Sequence, residues 1–99
     1  MIERYEKLFQ SGDSGEKELL ISPNVSMIKV EIKGSGSLDC KAMLDRDSDK
    51  QVIGAIKASD FSKVSTMTGG AIYTLEVSGY YKVFFTLSGS ADVYIKTIC

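Results

Sequence analysis

Residues 70–98 alternate apolar and polar side chains in three segments, separated by two glycine-containing turns. A strand points successive side chains to opposite faces, whereas an amphipathic helix needs apolar residues three and four positions apart. Tyr73, Leu75 and Val77 fall on one face of the first segment. This stretch therefore predicts three consecutive β-strands with one buried face, and it is the strongest constraint on the fold.

The first half of the chain repeats the pattern. Segments 26–33 and 37–44 flank Gly34-Ser35-Gly36, and both place apolar residues at every second position. A tight connection between two alternating segments is typical of a hairpin, so residues 26–44 are predicted to form one. The predicted inward residues are Ile28, Val30, Ile32, Leu38, Cys40, Ala42 and Leu44.

The last two strands are also predicted to form a hairpin, and the pattern constrains its loop. Residues directly opposite each other in a hairpin must share a face. A two-residue Gly89-Ser90 loop would place Phe85 opposite Tyr94 and mix the two faces. A three-residue loop over 88–90 places Phe85 opposite Val93 and keeps the faces consistent, so we expect a loop of odd length.

About seven or eight short strands and no convincing helix predict an all-β fold. We expect an antiparallel β-sandwich that is jelly-roll-like or, alternatively, immunoglobulin-like. The 99 residues are expected to form a single domain over 1–99. Residues 3–10 are assigned to an edge strand rather than a helical turn, and 1–15 are a candidate peripheral N-terminal arm. Within the irregular stretch 57–70, Phe61 and Val64 are expected to tuck onto the sandwich.

Composition narrows the classes of function. The formal net charge is −1 and charged residues make up 25% of the chain, with both signs interspersed. A nucleic-acid partner is therefore not expected, because no basic field is available to hold a phosphate backbone. No apolar run is long enough to span a membrane, so membrane insertion is not expected either. The first ten residues lack the apolar core of a signal peptide, which indicates synthesis in a cytoplasm.

Motifs that resemble chemical sites do not predict catalysis. Residues 12–15 spell Gly-Asp-Ser-Gly, as around a serine-protease nucleophile, but the chain has no histidine to act as the base. The acidic run 45–50 lacks the glycine and glutamate of a calcium loop and favours a solvated turn. Cys40 is predicted to be buried, and a bridge from it to Cys99 is left open. We expect no enzyme activity, catalytic residue, metal site or cofactor.

The outward side of the last two strands carries large aromatic residues. Tyr80, Phe84 and Tyr94 stand where a solvated sheet would show polar groups, and the predicted register places Phe84 opposite Tyr94. One interpretation is that 57–70 or the N-terminal segment covers them. Another is a subunit interface, because aromatic residues are enriched in interface cores. A third is a carbohydrate platform in a ligand site. These three residues are the candidate interface or ligand-binding residues.

One resemblance adds to these patterns. Residues 70–83, Gly-Ala-Ile-Tyr-Thr-Leu-Glu-Val-Ser-Gly-Tyr-Tyr-Lys-Val, resemble the ending of small tailed-phage structural proteins, and 30–39, 53–56 and 60–62 are similar to segments of the same proteins. The resemblance covers roughly 26–98. One departure is Met43-Leu44, where these proteins often carry an aromatic residue, commonly tryptophan.

The resemblance implies a bacteriophage or prophage virion component with no catalytic residues. A head decoration, fibre or tail/baseplate piece would be made in the host cytoplasm and contact other virion subunits as a homo-oligomer. The sequence therefore predicts a non-enzymatic structural protein that acts through protein–protein contacts in a virion. The alternative is a small carbohydrate-binding β-sandwich module.

Overall fold

The computed structural model describes residues 3–10, 13 and 15–99, which form strands joined by turns. The predicted all-β class is confirmed. The strands of the described residues are β1 Glu3–Phe9, β2 Gly15–Leu20, β3 Met27–Gly34, β4 Ser37–Met43, β5 Gln51–Val52, β6 Ala55–Lys57, β7 Lys63–Val64, β8 Thr66–Thr68, β9 Ala71–Glu76, β10 Lys82–Ser88 and β11 Ala91–Ile98.

These strands form two antiparallel sheets that enclose one core. The six-stranded sheet has the order β1-β11-β3-β9-β6-β7, and the five-stranded sheet has the order β2-β10-β4-β5, with β8 also paired to β4. Most consecutive strands lie in opposite sheets, so the chain repeatedly crosses the core. The predicted antiparallel β-sandwich is confirmed.

The two predicted hairpins are wrong. β3 pairs with β11 and β9, whereas β4 pairs with β10, so 26–44 crosses between sheets instead of folding back. Strands β10 and β11 also lie in different sheets and are joined by Gly89-Ser90. Phe85 lies opposite Cys40 and Val93 opposite Ile32, so the expected odd-length hairpin loop has no counterpart. A glycine turn allows the chain either to fold back as a hairpin or to cross to the other sheet, and both arrangements bury the same side chains.

The core comprises the inward faces of both sheets, and its burial follows the predicted alternation closely. Cys40 is fully buried, as predicted, and neither cysteine forms a disulfide. Val64 is half-buried against the core, also as predicted. The core residues are Phe9, Ile28, Val30, Ile32, Leu38, Cys40, Ala42, Ala55, Met67, Tyr73, Leu75, Val77, Val83, Phe85, Leu87, Ala91, Val93 and Ile95.

Two predicted inward residues point to solvent. Leu44 is 67% exposed because β4 ends at Met43 and the alternation no longer applies beyond it. Phe61 is 80% exposed at a tight turn where its own φ is 59°. The backbone N–H of Phe61 donates to the carbonyl of Lys57, which holds the turn closed.

The N-terminal segment is an edge strand, as the pattern of 3–10 indicated. β1 pairs with β11 from Glu3 to Phe9, with an irregularity between Lys7 and Phe9. Of the turn predicted around the Gly-Asp-Ser-Gly motif, residues 11, 12 and 14 lie outside the described residues, as do residues 1 and 2 of the candidate arm.

The two ends of the sandwich differ. At one end, three of the crossings between sheets pack backbone against backbone through glycines. A Cβ added to Gly34 would lie 2.8 Å from the carbonyl oxygen of Ser90, and one added to Gly36 would lie 3.0 Å from that of Ser88. The antiparallel pairing places 44–50 and 77–81 at the opposite end, where a Cβ added to Gly79 would meet no atom within 4 Å.

Candidate functional site

The three candidate aromatic residues lie in three separate surroundings. Phe84 is on β10 in the five-stranded sheet, Tyr94 is on β11 in the six-stranded sheet, and Tyr80 lies in the turn between β9 and β10. The predicted pairing of Phe84 with Tyr94 is therefore wrong. The structure brings none of the three together into a common surface.

Phe84 points outward as predicted, yet it is only 5% exposed. The Nζ atom of Lys50 lies 4.0 Å from the centroid of its ring, and that of Lys82 lies 5.9 Å away. Lys50 also reaches Glu16 on the neighbouring strand β2, with 3.2 Å between Nζ and Oε1. The residues that cover the Phe84 ring thus include Lys50 from the acidic loop 45–50. The segments predicted to cover it were 57–70 and the N-terminal segment, and Lys50 belongs to neither.

Tyr94 is half-buried on the outer face of the six-stranded sheet. The Nζ atoms of Lys7 and Lys33 lie 5.5 Å and 5.4 Å from the centroid of its ring, within cation–π range. Lys7 also pairs with Asp92 at 3.4 Å. Beside the ring, a shallow groove of about 190 Å³ leads to Ile72, whose side chain is 47% exposed.

Tyr80 lines a larger cleft of about 630 Å³ at the edge of the sandwich. Its polar lining residues are Lys63, Thr74, Glu76, Ser78 and Tyr80. Its other lining residues are Val52, Ile53, Gly54 and Ile56. Tyr80 also borders a second cleft of about 400 Å³ beside Leu44, so it lies between two concave surfaces.

Local structure explains how these residues meet. Thr74 and Glu76 point outward from β9 because Tyr73 and Leu75, which alternate with them, are buried in the core. Ile56 of β6 lies opposite Thr74, and Lys63 of β7 lies opposite Ile56. The chain crosses between sheets over 52–55 and closes one side of the cleft. The turn that carries Tyr80 is made by the preceding Gly79, with φ +88°.

The cleft offers binding groups that are not engaged elsewhere. Within the described residues, the side chains of Lys63, Glu76 and Tyr80 make no hydrogen bond or ion pair. In contrast, Lys7, Lys50 and other surface lysines form ion pairs with acidic residues. One ammonium and one carboxylate give the lining no formal net charge.

The described part of the chain contains no group of three or more Cys, Asp or Glu side chains placed to hold a metal ion. It also contains no helix long and apolar enough to cross a membrane. The acidic loop is held by its own hydrogen bonds, since the Ser48 hydroxyl donates to the carbonyl of Asp45 at 2.9 Å.

Tyr80 is the one residue lining this cleft that was predicted from the sequence as a candidate site residue. Lys63 and Glu76 belong to β7 and β9, which are distant in sequence and come close only through the order of the six-stranded sheet. Val52 belongs to β5 of the other sheet, just before the chain crosses over. The available signal was weak: Thr74 and Glu76 alternate with the predicted inward residues of the 71–77 segment, but outward polar residues are expected on any solvated sheet. Nothing in the alternation indicates which outward face is concave.

This small β-sandwich with a cleft at its edge has close structural neighbours. The crystal structure of the SPBc2 prophage-derived protein YomS superposes with a TM-score of 0.81 at 17% identity, over 99% of this chain and 94% of that chain. The PBSX exported protein XepA also superposes with a TM-score of 0.81, at 12% identity, over 97% of this chain and 37% of that one. These likenesses show a shared fold.

A third neighbour is more distant. The dTDP-4-dehydrorhamnose 3,5-epimerase of Bacillus anthracis superposes with a TM-score of 0.50 at 13% identity, over 98% of this chain and 51% of that chain. It indicates only a related β-architecture. No protein-family model matches the chain. No curated protein matches it by sequence.

Proposed function

We propose that this chain is a non-enzymatic structural or assembly protein of a bacteriophage or prophage, acting through protein–protein contacts in the virion. The observation that carries the proposal is the likeness to YomS over nearly the full length of both chains. The sequence resemblance over 26–98 supports the same origin independently of the fold. A head decoration, a fibre and a tail or baseplate component are the roles that this proposal includes.

The partners in this proposal are other virion subunits, including further copies of the chain. The face that best suits self-association surrounds Tyr94, where the groove towards Ile72 supplies apolar contact area. Charges of both signs border it, with Lys7 of β1 paired to Asp92 of β11 and with Lys33 and Glu31 on the same face of β3. Such a face can oppose lysines to acids when a second copy meets it.

Detection in particles tests the assignment to a virion. Phage particles induced from a host that carries the gene are purified by density gradient and analysed by mass spectrometry. We expect the chain in the particle fraction at a fixed ratio to the major capsid protein. Its recovery only in the particle-free supernatant would contradict a virion role.

Light scattering coupled to size exclusion tests the contact surface separately. The native chain is expected to have the mass of an oligomer, and Tyr94→Ser combined with Ile72→Ser is expected to shift it towards the monomer. Phe61→Ser is the control, because it removes an exposed aromatic residue outside this face. A clean monomer for the native chain at high concentration would contradict the homo-oligomer.

A further inference from the structure

The cleft beside Tyr80 carries an inference that goes beyond assembly. We propose that it binds a short, uncharged glycan of one or two sugar rings. The virion role and this binding site are independent, since the first rests on a whole-chain fold likeness and the second on the geometry of one edge of the sandwich.

The size of the cleft fits such a ligand. Its volume of about 630 Å³ lies within the range of roughly 300–1,000 Å³ that is typical of small-molecule sites. Its shape comes from backbone that the sheets hold in place: β9 forms the floor, β6 and β7 extend it, and the crossing at 52–55 forms a wall. The site therefore exists before any ligand arrives, which reduces the entropy cost of binding.

The lining matches the two kinds of surface on a sugar ring. The Glu76 carboxylate accepts hydrogen bonds, the Lys63 ammonium donates them, and the Ser78 hydroxyl can do either, as glycan hydroxyls require. Ile56 provides an apolar contact between Thr74 and Lys63, and Val52 and Ile53 provide further apolar contacts from the crossing. The half-buried ring of Tyr80 packs partly against the core and offers its remaining surface and its hydroxyl to the cleft.

The charge of the lining favours an uncharged glycan over a phosphorylated one. Lys63 and Glu76 are the charged groups among the described lining residues, and they balance. A phosphate would meet one ammonium and be repelled by one carboxylate, whereas an uncharged polyol uses both groups. The other cleft of about 630 Å³ is lined by Lys33 and Lys57 against one acidic residue, and no aromatic residue lines it.

The binding test is an amide-resonance titration of the ¹⁵N-labelled native chain. The probes are neutral disaccharides of glucose, galactose, mannose and N-acetylglucosamine, each added to about 10 mM, so that a Kd of about 1 mM or tighter approaches saturation. We expect at least one probe to shift amides confined to 52–56, 63 and 74–80. Glucose 6-phosphate at the same concentration is expected to shift them less.

The variant test assigns the binding to this cleft. Glu76→Gln keeps the shape of the side chain and removes its charge, so affinity for the responding disaccharide should fall about tenfold, as expected when a hydrogen bond to a charged acceptor is weakened. Glu18→Gln is the matched control, because Glu18 is an exposed strand glutamate on the other sheet. That variant should bind as the native chain does.

Several results would overturn the proposal. They are the absence of any response to all four neutral probes, a stronger response to glucose 6-phosphate, and equal affinities for Glu76→Gln and the native chain. A change in the oligomer mass of Glu76→Gln without any sugar response would identify the cleft as a subunit contact instead. Failure of the sugar titration would leave the particle test of the virion role unaffected.

Discussion

The Nζ atom of Lys50 lies 4.0 Å from the centroid of the Phe84 ring while it pairs with the Glu16 carboxylate. One side chain thus connects three elements, since Lys50 is the last residue of the acidic loop 45–50, Phe84 is on β10 and Glu16 is on β2. An aromatic residue on the outer face of a sheet becomes a buried one through this contact. The cover is made of a flexible charged side chain, so its contribution to stability is open to measurement.

We expect Lys50→Met to lower the free energy of unfolding by about 0.5–1 kcal/mol, because the methionine keeps most of the hydrophobic cover but loses the cation–π contact. Glu16→Gln should cost less, since both partners of the ion pair are more than a third exposed and solvent screens them. Urea denaturation followed by circular dichroism measures both. An equal cost for the two variants would show that the ion pair, and not the ring contact, dominates.

Phe84→Ala should lower the free energy of unfolding by about 2–4 kcal/mol, because it removes a large buried side chain and leaves its cover without a partner. Phe61→Ala provides a matched control, since the same atoms are removed from a residue that is 80% exposed. That variant should change stability by less than about 0.5 kcal/mol. Similar losses for the two variants would contradict the burial of Phe84.

The buried thiol of Cys40 is expected to make the free energy of unfolding depend on pH. Burial raises the pKa of its thiol to about 12. Above about pH 9 the unfolded chain releases this proton while the folded chain retains it, so stability should fall by about 1.4 kcal/mol for each pH unit. Urea denaturation between about pH 7 and pH 10 measures the decline.

Two variants isolate the contribution of Cys40 from that of other groups titrating at high pH. Cys40→Ala should be less stable at neutral pH, because it leaves a small cavity, but it should show a shallower decline with rising pH. Cys99→Ala should retain the steep decline. The same slope in Cys40→Ala and the native chain would rule out the buried thiol as its cause.

The sequence was sufficient to predict which side chains of each strand point inward, but not which strands pair with one another. Alternation is a local property, so the burial of Ile28, Val30 and Ile32 followed directly from their spacing. Pairing depends on where the chain goes after each turn, and Gly34-Ser35-Gly36 suits a crossing as well as a hairpin. Predicting burial from alternation also assumes that an outward residue is exposed to solvent. Phe84 contradicts that assumption, because it points outward and is buried.

The candidate site shows the same limit. Tyr80 was predicted as an outward residue of the last two strands, whereas it lies in the turn before β10 and packs partly against the core. Lys63 and Glu76 join it only because β7, β6 and β9 are consecutive in the sheet. Phe61 was expected to be inward because it is apolar, whereas its positive φ of 59° turns the chain so that its ring faces solvent. Backbone conformation of this kind has no signature in hydrophobic spacing.

The glycine-packed end has a practical consequence for engineering. Any residue spliced into the turns at 34–36 or 88–90 would push apart carbonyl groups that already contact neighbouring backbone, and so would separate β3 from β11. The acidic loop at the other end has exposed residues at Arg46 and Asp47 and makes its hydrogen bonds at its base. A foreign peptide inserted there would leave the strand pairing intact. The sandwich is therefore a scaffold that accepts inserted peptides at one end only, so that grafted epitopes would all point in the same direction.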